Sequence, residues 1–124
     1  MAIYVDNFGF ETSVWNPWTG RQVTSKWYHL VSDQLDPTEL HEFIDQLGLK
    51  REYFQRGVDK NTGVYNPGHD HYDVTLNKRR LAVRFGATQI DIHQLGRIII
   101  AKNKLWHQLV DQRAEELRKE QHGT

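Results

Sequence analysis

The chain lacks cysteine and net charge, and each absence excludes a class of protein. Without cysteine it can form no disulfide, no thiolate metal site and no thiol nucleophile. Its 16 basic residues balance 16 acidic ones, so the overall field draws the chain neither to nucleic acid nor to an anionic membrane. Any anionic partner must therefore be bound by a local cluster of cations.

Long apolar runs are also missing. No stretch approaches the roughly 20 consecutive apolar residues that cross a bilayer. The first residues, MAIYVDNF, lack the basic segment and apolar run of a secretory signal. We therefore expect a soluble, non-secreted, cytoplasmic protein without a membrane partner. A length of 124 residues suits one domain with a single core.

What the chain does contain is an alternation of strand and helix signals. Four segments rich in β-branched and aromatic residues predict strands: residues 2–6, residues 22–32, KREYFQ and ATQIDI. Residues 7–20, with Pro17 and two glycines, predict a long loop or an irregular ribbon, and residues 57–70 predict a loop. Apolar residues at one-face spacing predict a helix over residues 37–47, ended by Gly48.

Two further helices follow. Thr75 is a suitable N-cap for a helix over residues 76–85. Residues 92–120 keep helical spacing for a length of roughly 40 Å, although we expect Gly96 to interrupt the start. Strands interleaved with helices predict an α/β fold: a small single-domain sheet flanked by helices, with a long C-terminal helix.

This long helix also sets the expected domain organisation. We divide the chain into an α/β core module, residues 1–91, and a C-terminal helical extension, residues 92–124. The extension carries an apolar stripe longer than the small core can cover, so we expect it to join two chains into a homodimer. The alternative is that its polar last turns project into solvent.

The stretch HDHYD carries candidate metal ligands. If it is extended, His69, His71 and Asp73 share one face, and Asp70 and Tyr72 share the other. Two imidazoles and a carboxylate suit a divalent zinc, manganese or iron ion. Because the spacing matches no established metal signature, an ordinary polar loop is the alternative.

The next residues, TLNKRR, place cations at the start of a helix. Free backbone N–H groups, the Thr75 hydroxyl, Lys78 and Arg79 would together form a cradle for a phosphate or a carboxylate. In the alternative, Asp73 neutralises these cations and they lie on a solvated face.

Aromatic residues form a third group of candidates. Bases stack on such rings with about 1–3 kcal/mol each. Trp15 and Trp18 fall in the predicted polar loop, so they are candidates for ligand contact, as is Tyr72. The alternative is that the aromatic residues, Trp27 above all, belong to the core.

Two residues of the predicted strands complete the candidate site. Asp6 ends the first strand, and His29 lies within the second, where a histidine is otherwise an ordinary half-buried residue. Ligand crevices of α/β sheets form at strand ends and adjoining loops. We therefore expect Asp6, His29, His71 and Asp73 to converge in one pocket.

Several ordered motifs resemble a known family. They are YVD at residues 4–6, WYHLVSD at 27–33, the run from ELHEF to KREYFQ, and HYDVTLNKRRLAVRFGA at 71–87. Together they are similar to short bacterial and phage proteins known as domain of unknown function 4031. The resemblance covers roughly residues 3–90, is compatible with a phage origin and implies no activity. The insertion SVWNPWTGR and the loop at 57–70 are longer than the usual family pattern.

Carboxylates and imidazoles beside cations suit a phosphate ester, such as a nucleotide or a nucleic-acid end. One interpretation is a hydrolase, a metal-assisted phosphoesterase. In it Asp6, His71 and Asp73 bind a divalent metal ion or act as acid and base, and His29 protonates the leaving group. The cations of TLNKRR stabilise developing charge.

Two other classes of function stay open. The protein could be a non-catalytic binder that sequesters a nucleotide, for example a signalling nucleotide in the conflict between phages and bacteria. It could instead be an interaction module that works through its C-terminal helix. A nucleic-acid partner is not favoured, because the net charge is zero.

Overall fold

Strands and helices alternate along the chain in a computed structural model that describes residues 2–58 and 61–121. The strands are β1 (Ile3–Asp6), β2 (Phe10–Asn16), β3 (Arg21–Ser32), β4 (Tyr72–Thr75) and β5 (Thr88–Ile90). The helices are α1 (Thr38–Gln46), α2 (Leu76–Arg84) and α3 (Ile92–Gln121), and 3₁₀ turns lie at Arg51–Tyr53 and Pro67–His69. The α/β class and the long C-terminal helix are confirmed. Residues 59–60 of the predicted loop and 122–124 of the predicted extension lie outside the described residues.

The long strand β3 organises the sheet. Trp27 in β3 pairs with Phe10 of β2 on one edge and with Thr75 of β4 on the other. Farther along, β3 pairs with β1, also antiparallel, and β1 pairs in parallel with β5. The β3–β4 register places His29 directly opposite Asp73, so the strand pairing brings two of the candidate site residues together.

Both faces of the sheet are packed. Leu30 and Val31 are neighbours in β3 and therefore point to opposite faces. Leu30 belongs to the main core, which α1 and α2 cover. Val31 packs with Ile90 and with Leu95 from the start of α3 in a second, smaller cluster. The first turns of α3 are thus part of the core, and the cluster of candidate ligands lies on their side of the sheet.

The predicted loop over residues 7–20 is wrong, because β2 lies within it and forms a hairpin with β3. The turn signals are confined to residues 17–20. There Asn16 accepts the Trp18 N–H with its side chain at 2.9 Å, and its carbonyl accepts the Gly20 N–H at 2.9 Å. Gly20 has a φ of 66°, which glycine adopts without strain. The turn-forming residues of this segment therefore mark one tight turn and not a whole irregular segment.

The strand predicted in KREYFQ is also wrong. Residues Arg51–Tyr53 form a 3₁₀ turn, whose backbone bonds close locally, as from the Phe54 N–H to the Arg51 carbonyl at 3.0 Å. Gln55 alone of this segment pairs like a strand residue, in an isolated bridge with His71. Because the local turn satisfies the backbone, the β-forming side chains do not extend the sheet.

The helix ends follow the sequence signals closely. Gly48 has a φ of 71° and the Leu49 N–H donates to the Ile44 carbonyl at 3.2 Å, which confirms the glycine cap of α1. Thr75 caps α2 by accepting the Lys78 N–H at 3.4 Å. The expected interruption at Gly96 is wrong, since α3 runs through it unbroken. Within the described ranges, no helix is long and apolar enough to cross a membrane.

Candidate functional site

Two histidines and an aspartate meet where β3 and β4 pair. His29 lies opposite Asp73, and His71 precedes Asp73 by two residues, so all three side chains fall on one face of the sheet. One potential ligand atom from each lies within 4.8 Å of the others, and all three residues are half-buried. We call His29, His71 and Asp73 the His–His–Asp cluster.

The imidazole of His29 is held by Asp6 at the end of β1. Its Nδ1 lies 2.7 Å from Oδ2 of Asp6, and its backbone N–H donates to Oδ1 at 3.0 Å. Asp6 is fully buried, so its carboxylate is fixed in place. A carboxylate accepts, so Nδ1 carries a proton, and in the neutral imidazole the lone pair is on Nε2. The ring of Phe10 stacks on the imidazole of His29, and the two ring centres are 5.0 Å apart.

The same pattern repeats at His71. Its Nδ1 lies 2.9 Å from the backbone carbonyl of His69, which can only accept, so Nε2 again has the lone pair. That Nε2 lies 3.3 Å from Oδ1 of Asp73. Burial by itself lowers the pKa of His71, but the Asp73 carboxylate and the His69 carbonyl outweigh it and raise the pKa overall. The surroundings of His71 therefore favour a positive charge, which either a proton on the ring or a metal ion can supply.

The two carboxylate oxygens of Asp73 differ in their contacts. Oδ2 accepts a short hydrogen bond of 2.5 Å from the side-chain amide of Gln55. Oδ1 is buried and contacts Nε2 of His71 at 3.3 Å, but has no other partner among residues 2–58 and 61–121. Burial raises the pKa of Asp73, but the hydrogen bonds and the charge of His71 outweigh it and lower the pKa overall. A buried carboxylate oxygen beside two imidazole lone pairs suits a cation.

The loop before β4 is built to hold the His69 carbonyl in position. Buried Asp70 accepts the Gly57 N–H at 2.9 Å and the Tyr65 hydroxyl at 2.5 Å. Burial, with the bond to Asp70, raises the pKa of Tyr65 to about 12. Gly68 lies so close to α3 that an added Cβ would fall 1.8 Å from Oδ1 of Asn103. The loop is therefore pinned against α3 rather than free to move.

Two cavities adjoin the His–His–Asp cluster. The smaller, of about 240 Å³, is lined by both cluster histidines, His69 and apolar residues of the second core. The larger, of about 520 Å³, includes Asp73 in its wall. We call the larger one the aromatic pocket, and its wall includes Phe10, Trp27, Tyr53, Asp73, Thr75 and Lys78.

The structure brings Asp6, His29, His71 and Asp73 close together, as predicted, but not into one pocket. His29 and His71 line the smaller cavity, Asp73 lines the larger one, and buried Asp6 lines neither. Asp6 supports His29 from behind instead of joining the cluster. His69 was expected as a ligand, but its ring is outside the cluster, with Nε2 3.4 Å from the Asn103 amide. Its backbone carbonyl, which no motif indicates, is what orients His71.

The predicted anion cradle has most of its donors engaged. Lys78 donates to the Leu47 carbonyl at 2.7 Å and so caps the C-terminal end of α1. Arg79 donates to the Asp6 carbonyl at 2.8 Å and to the Gln89 side chain at 3.1 Å. Thr75 accepts the N-cap bond. Lys78 and Thr75 line the aromatic pocket, whereas Arg79 does not.

Two of the three expected aromatic contacts lie elsewhere. Trp15 and Trp18 are exposed near the tip of the β2–β3 hairpin, and Trp15 is about 17 Å along β2 from Phe10 at the strand rise per residue. Tyr72 packs in the main core, with its hydroxyl 2.6 Å from Nδ1 of His41, and also lines the aromatic pocket. Phe10 takes the place of the tryptophans, and recognising the hairpin in the sequence would have placed it next to His29.

Gln55 was missed as well. It supports Asp73 with its side chain and His71 with its backbone. Its signal in the sequence was its position at the end of the KREYFQ motif, but nothing local indicates that this residue reaches β4.

Comparison with known proteins gives one match. No curated protein and no solved structure matches the chain. A family model described as a protein of unknown function (DUF4031) matches residues 3–102. The match spans most of the chain and contains the whole His–His–Asp cluster with Asp6 and Gln55. The chain therefore belongs to the DUF4031 family of proteins of unknown function.

Proposed function

We propose that this protein is a metal-dependent hydrolase of a small phosphate ester, with one divalent transition-metal ion bound by His29, His71 and Asp73. The observation that carries the proposal is the orientation of the two histidine rings. Both have Nδ1 held by an acceptor outside the cluster, so each neutral imidazole has its lone pair on Nε2, where it can bind a metal.

The donor set supports a transition metal. Two imidazole nitrogens and one carboxylate oxygen are the ligands of many zinc and iron sites that keep positions open for water and substrate. The supporting contacts are also of the expected kind: a carboxylate behind His29, a carbonyl behind His71 and an amide on Asp73. Three protein ligands leave room for a water molecule and a substrate oxygen.

Hydrolysis follows from that open coordination. An ion held by His29, His71 and Asp73 would lower the pKa of a bound water and so supply a nucleophile near neutral pH. Attack on the phosphorus would break its bond to the organic oxygen, which would leave with the electron pair and take up one proton from solvent. Lys78 supports an anionic substrate, because it brings positive charge to the wall of the pocket that contains Asp73.

Metal binding is tested on metal-free protein by calorimetric titration with zinc, with cobalt as a spectroscopic probe. The wild type is expected to bind one ion, and His71→Ala and Asp73→Asn are each expected to weaken binding at least tenfold, because each removes a ligand. His107→Ala, an exposed histidine on α3, is the matched control and keeps wild-type affinity. Circular dichroism checks that each variant is folded. Equal zinc affinity in all four proteins would overturn the site.

Turnover is tested separately with p-nitrophenyl phosphate. The metal-loaded wild type is expected to release p-nitrophenol, and both metal-free protein and Asp73→Asn are expected to lose this activity. Stoichiometric metal binding without hydrolysis of phosphate esters would contradict the hydrolase. That outcome would favour the alternative, a non-catalytic binder of a phosphate-containing ligand.

A further inference from the structure

We infer that the aromatic pocket binds the organic part of the substrate, and that this part is a planar heteroaromatic ring of nucleobase size. The placement of the reacting phosphate rests on the proposed function, whereas the ring site is inferred from the residues and volume of the pocket alone. The substrate class is then a phosphate monoester of a heteroaromatic compound, as in a nucleoside monophosphate.

The walls of the pocket support a flat ring. Phe10 and Trp27 are direct cross-strand partners and so present their rings on the same face of the sheet. Tyr53 reaches the pocket from the 3₁₀ turn. Aromatic side chains from three separate segments thus surround a cavity of about 520 Å³, within the range of roughly 300–1,000 Å³ usual for small-molecule sites.

The pocket also connects with the cluster. Asp73 belongs to both, and Phe10 lines the pocket while its ring stacks on His29. A ring in the pocket therefore lies beside Asp73, one of the three proposed metal ligands, and its phosphate would extend toward them. This continuity assigns the pocket to the substrate rather than to an unrelated ligand.

Polar groups beyond Asp73 favour a ring that carries hydrogen-bond acceptors. Thr75 lies two residues farther along β4, about 7 Å away, and Lys78 follows in the first turn of α2. The Lys78 ammonium has three N–H donors, of which the Leu47 carbonyl takes one. Ring nitrogen or oxo groups can accept from the others, whereas a plain phenyl ring cannot.

The charge of the pocket limits the size of the anion. Lys78 is the cation among its lining residues in the described part of the chain, and Asp73 is its carboxylate. A polyphosphate or a nucleic-acid strand needs several cations along its length. One phosphate at the metal therefore fits better than a chain of them.

The experiment compares three probes by calorimetry: adenosine 5′-monophosphate, phenyl phosphate and glycerol 3-phosphate. We expect adenosine 5′-monophosphate to bind most tightly. Tyr53→Ala is expected to weaken its binding roughly 5- to 150-fold, the loss of one stacked ring, and to leave glycerol 3-phosphate binding within twofold. The side chain of Tyr53 is 55% exposed, so this variant should fold. Trp18→Ala, an exposed aromatic at the hairpin tip, is the matched control and binds all probes like wild type.

Unchanged adenosine 5′-monophosphate binding in Tyr53→Ala, or equal affinity for glycerol 3-phosphate, would overturn the ring site. Equal affinity for phenyl phosphate would overturn the heteroaromatic assignment. Each protein is also titrated with zinc, and each probe is tested with and without it. Zinc binding without a ring preference would refute this inference alone, and a Tyr53-dependent ring preference without zinc binding would refute the proposed function alone.

Discussion

Each histidine ring of the His–His–Asp cluster is oriented by a hydrogen-bond acceptor at its Nδ1. Asp6 fixes the ring of His29 and the His69 carbonyl fixes that of His71, so both Nε2 atoms are oriented before any ligand arrives. Such supporting contacts change metal affinity by about 10- to 100-fold in known sites. For metal affinity at the proposed site, the groups that position these acceptors therefore matter as well as the three proposed ligands.

The side chain of Arg79 helps to hold the backbone of Asp6 in position. Its guanidinium donates to the Asp6 carbonyl and lies over the Tyr28 ring, 5.2 Å from the ring centre. It thus holds the end of β1, from which the Asp6 side chain reaches His29. The sequence indicated cations at a helix start, which suit either a bound anion or a solvated face neutralised by Asp73. It could not indicate that the chain's own carbonyl occupies the arginine.

We predict that Arg79→Met lowers the free energy of unfolding by about 1–3 kcal/mol, because it removes charged hydrogen bonds to the carbonyl of buried Asp6 and to the side chain of Gln89. Arg80→Met is the control: Arg80 is the next residue and is exposed, so its loss should change stability by less than about 0.5 kcal/mol. Urea denaturation measures both. Equal stabilities would show that Arg79 is ordinary surface.

Among the elements, β2 shows why local signals can mislead. Glycine and proline near residues 7–20 predicted a loop, yet the pairing of β2 with β3 is decided by a partner strand farther along the chain. The hairpin extends β3 well beyond the core, and it brings Phe10 to His29. A single error of segment type therefore hid one wall of the candidate substrate pocket.

Gly96 in α3 provides a test at this scale. It is helical, and an added Cβ would meet nothing within 4 Å. We predict that Gly96→Ala raises stability by about 0.5–1 kcal/mol, because alanine loses less conformational freedom on folding. Gly68→Ala should do the opposite, since its Cβ would overlap Asn103. Thermal unfolding of both variants checks the prediction, and a lower midpoint for Gly96→Ala would contradict it.

For the whole molecule, the sequence predicted the α/β class, the helices and the types of residue that would converge. The local signals were sufficient there, as with Gly48 and Thr75, because a cap acts within one turn. The local signals did not indicate which distant residues the site residues would contact. Asp6 and His29, or Gln55 and Asp73, come together only through strand pairing and loop packing, which depend on contacts far apart in the chain.

The second half of α3 is mostly exposed. Side chains of residues 104–121 are exposed apart from half-buried Trp106, and they include a set of apolar ones: Leu105, Leu109, Val110 and Leu117. A twofold partner would remove these from water, so we predict a homodimer through this stripe. Light scattering of the wild type should give twice the chain mass of 14.6 kDa. Leu109→Glu should give the single mass, because it places a charge in the apolar contact, whereas Gln108→Glu adds the same charge beside it and should stay dimeric. A wild-type monomer at micromolar concentration would contradict the prediction.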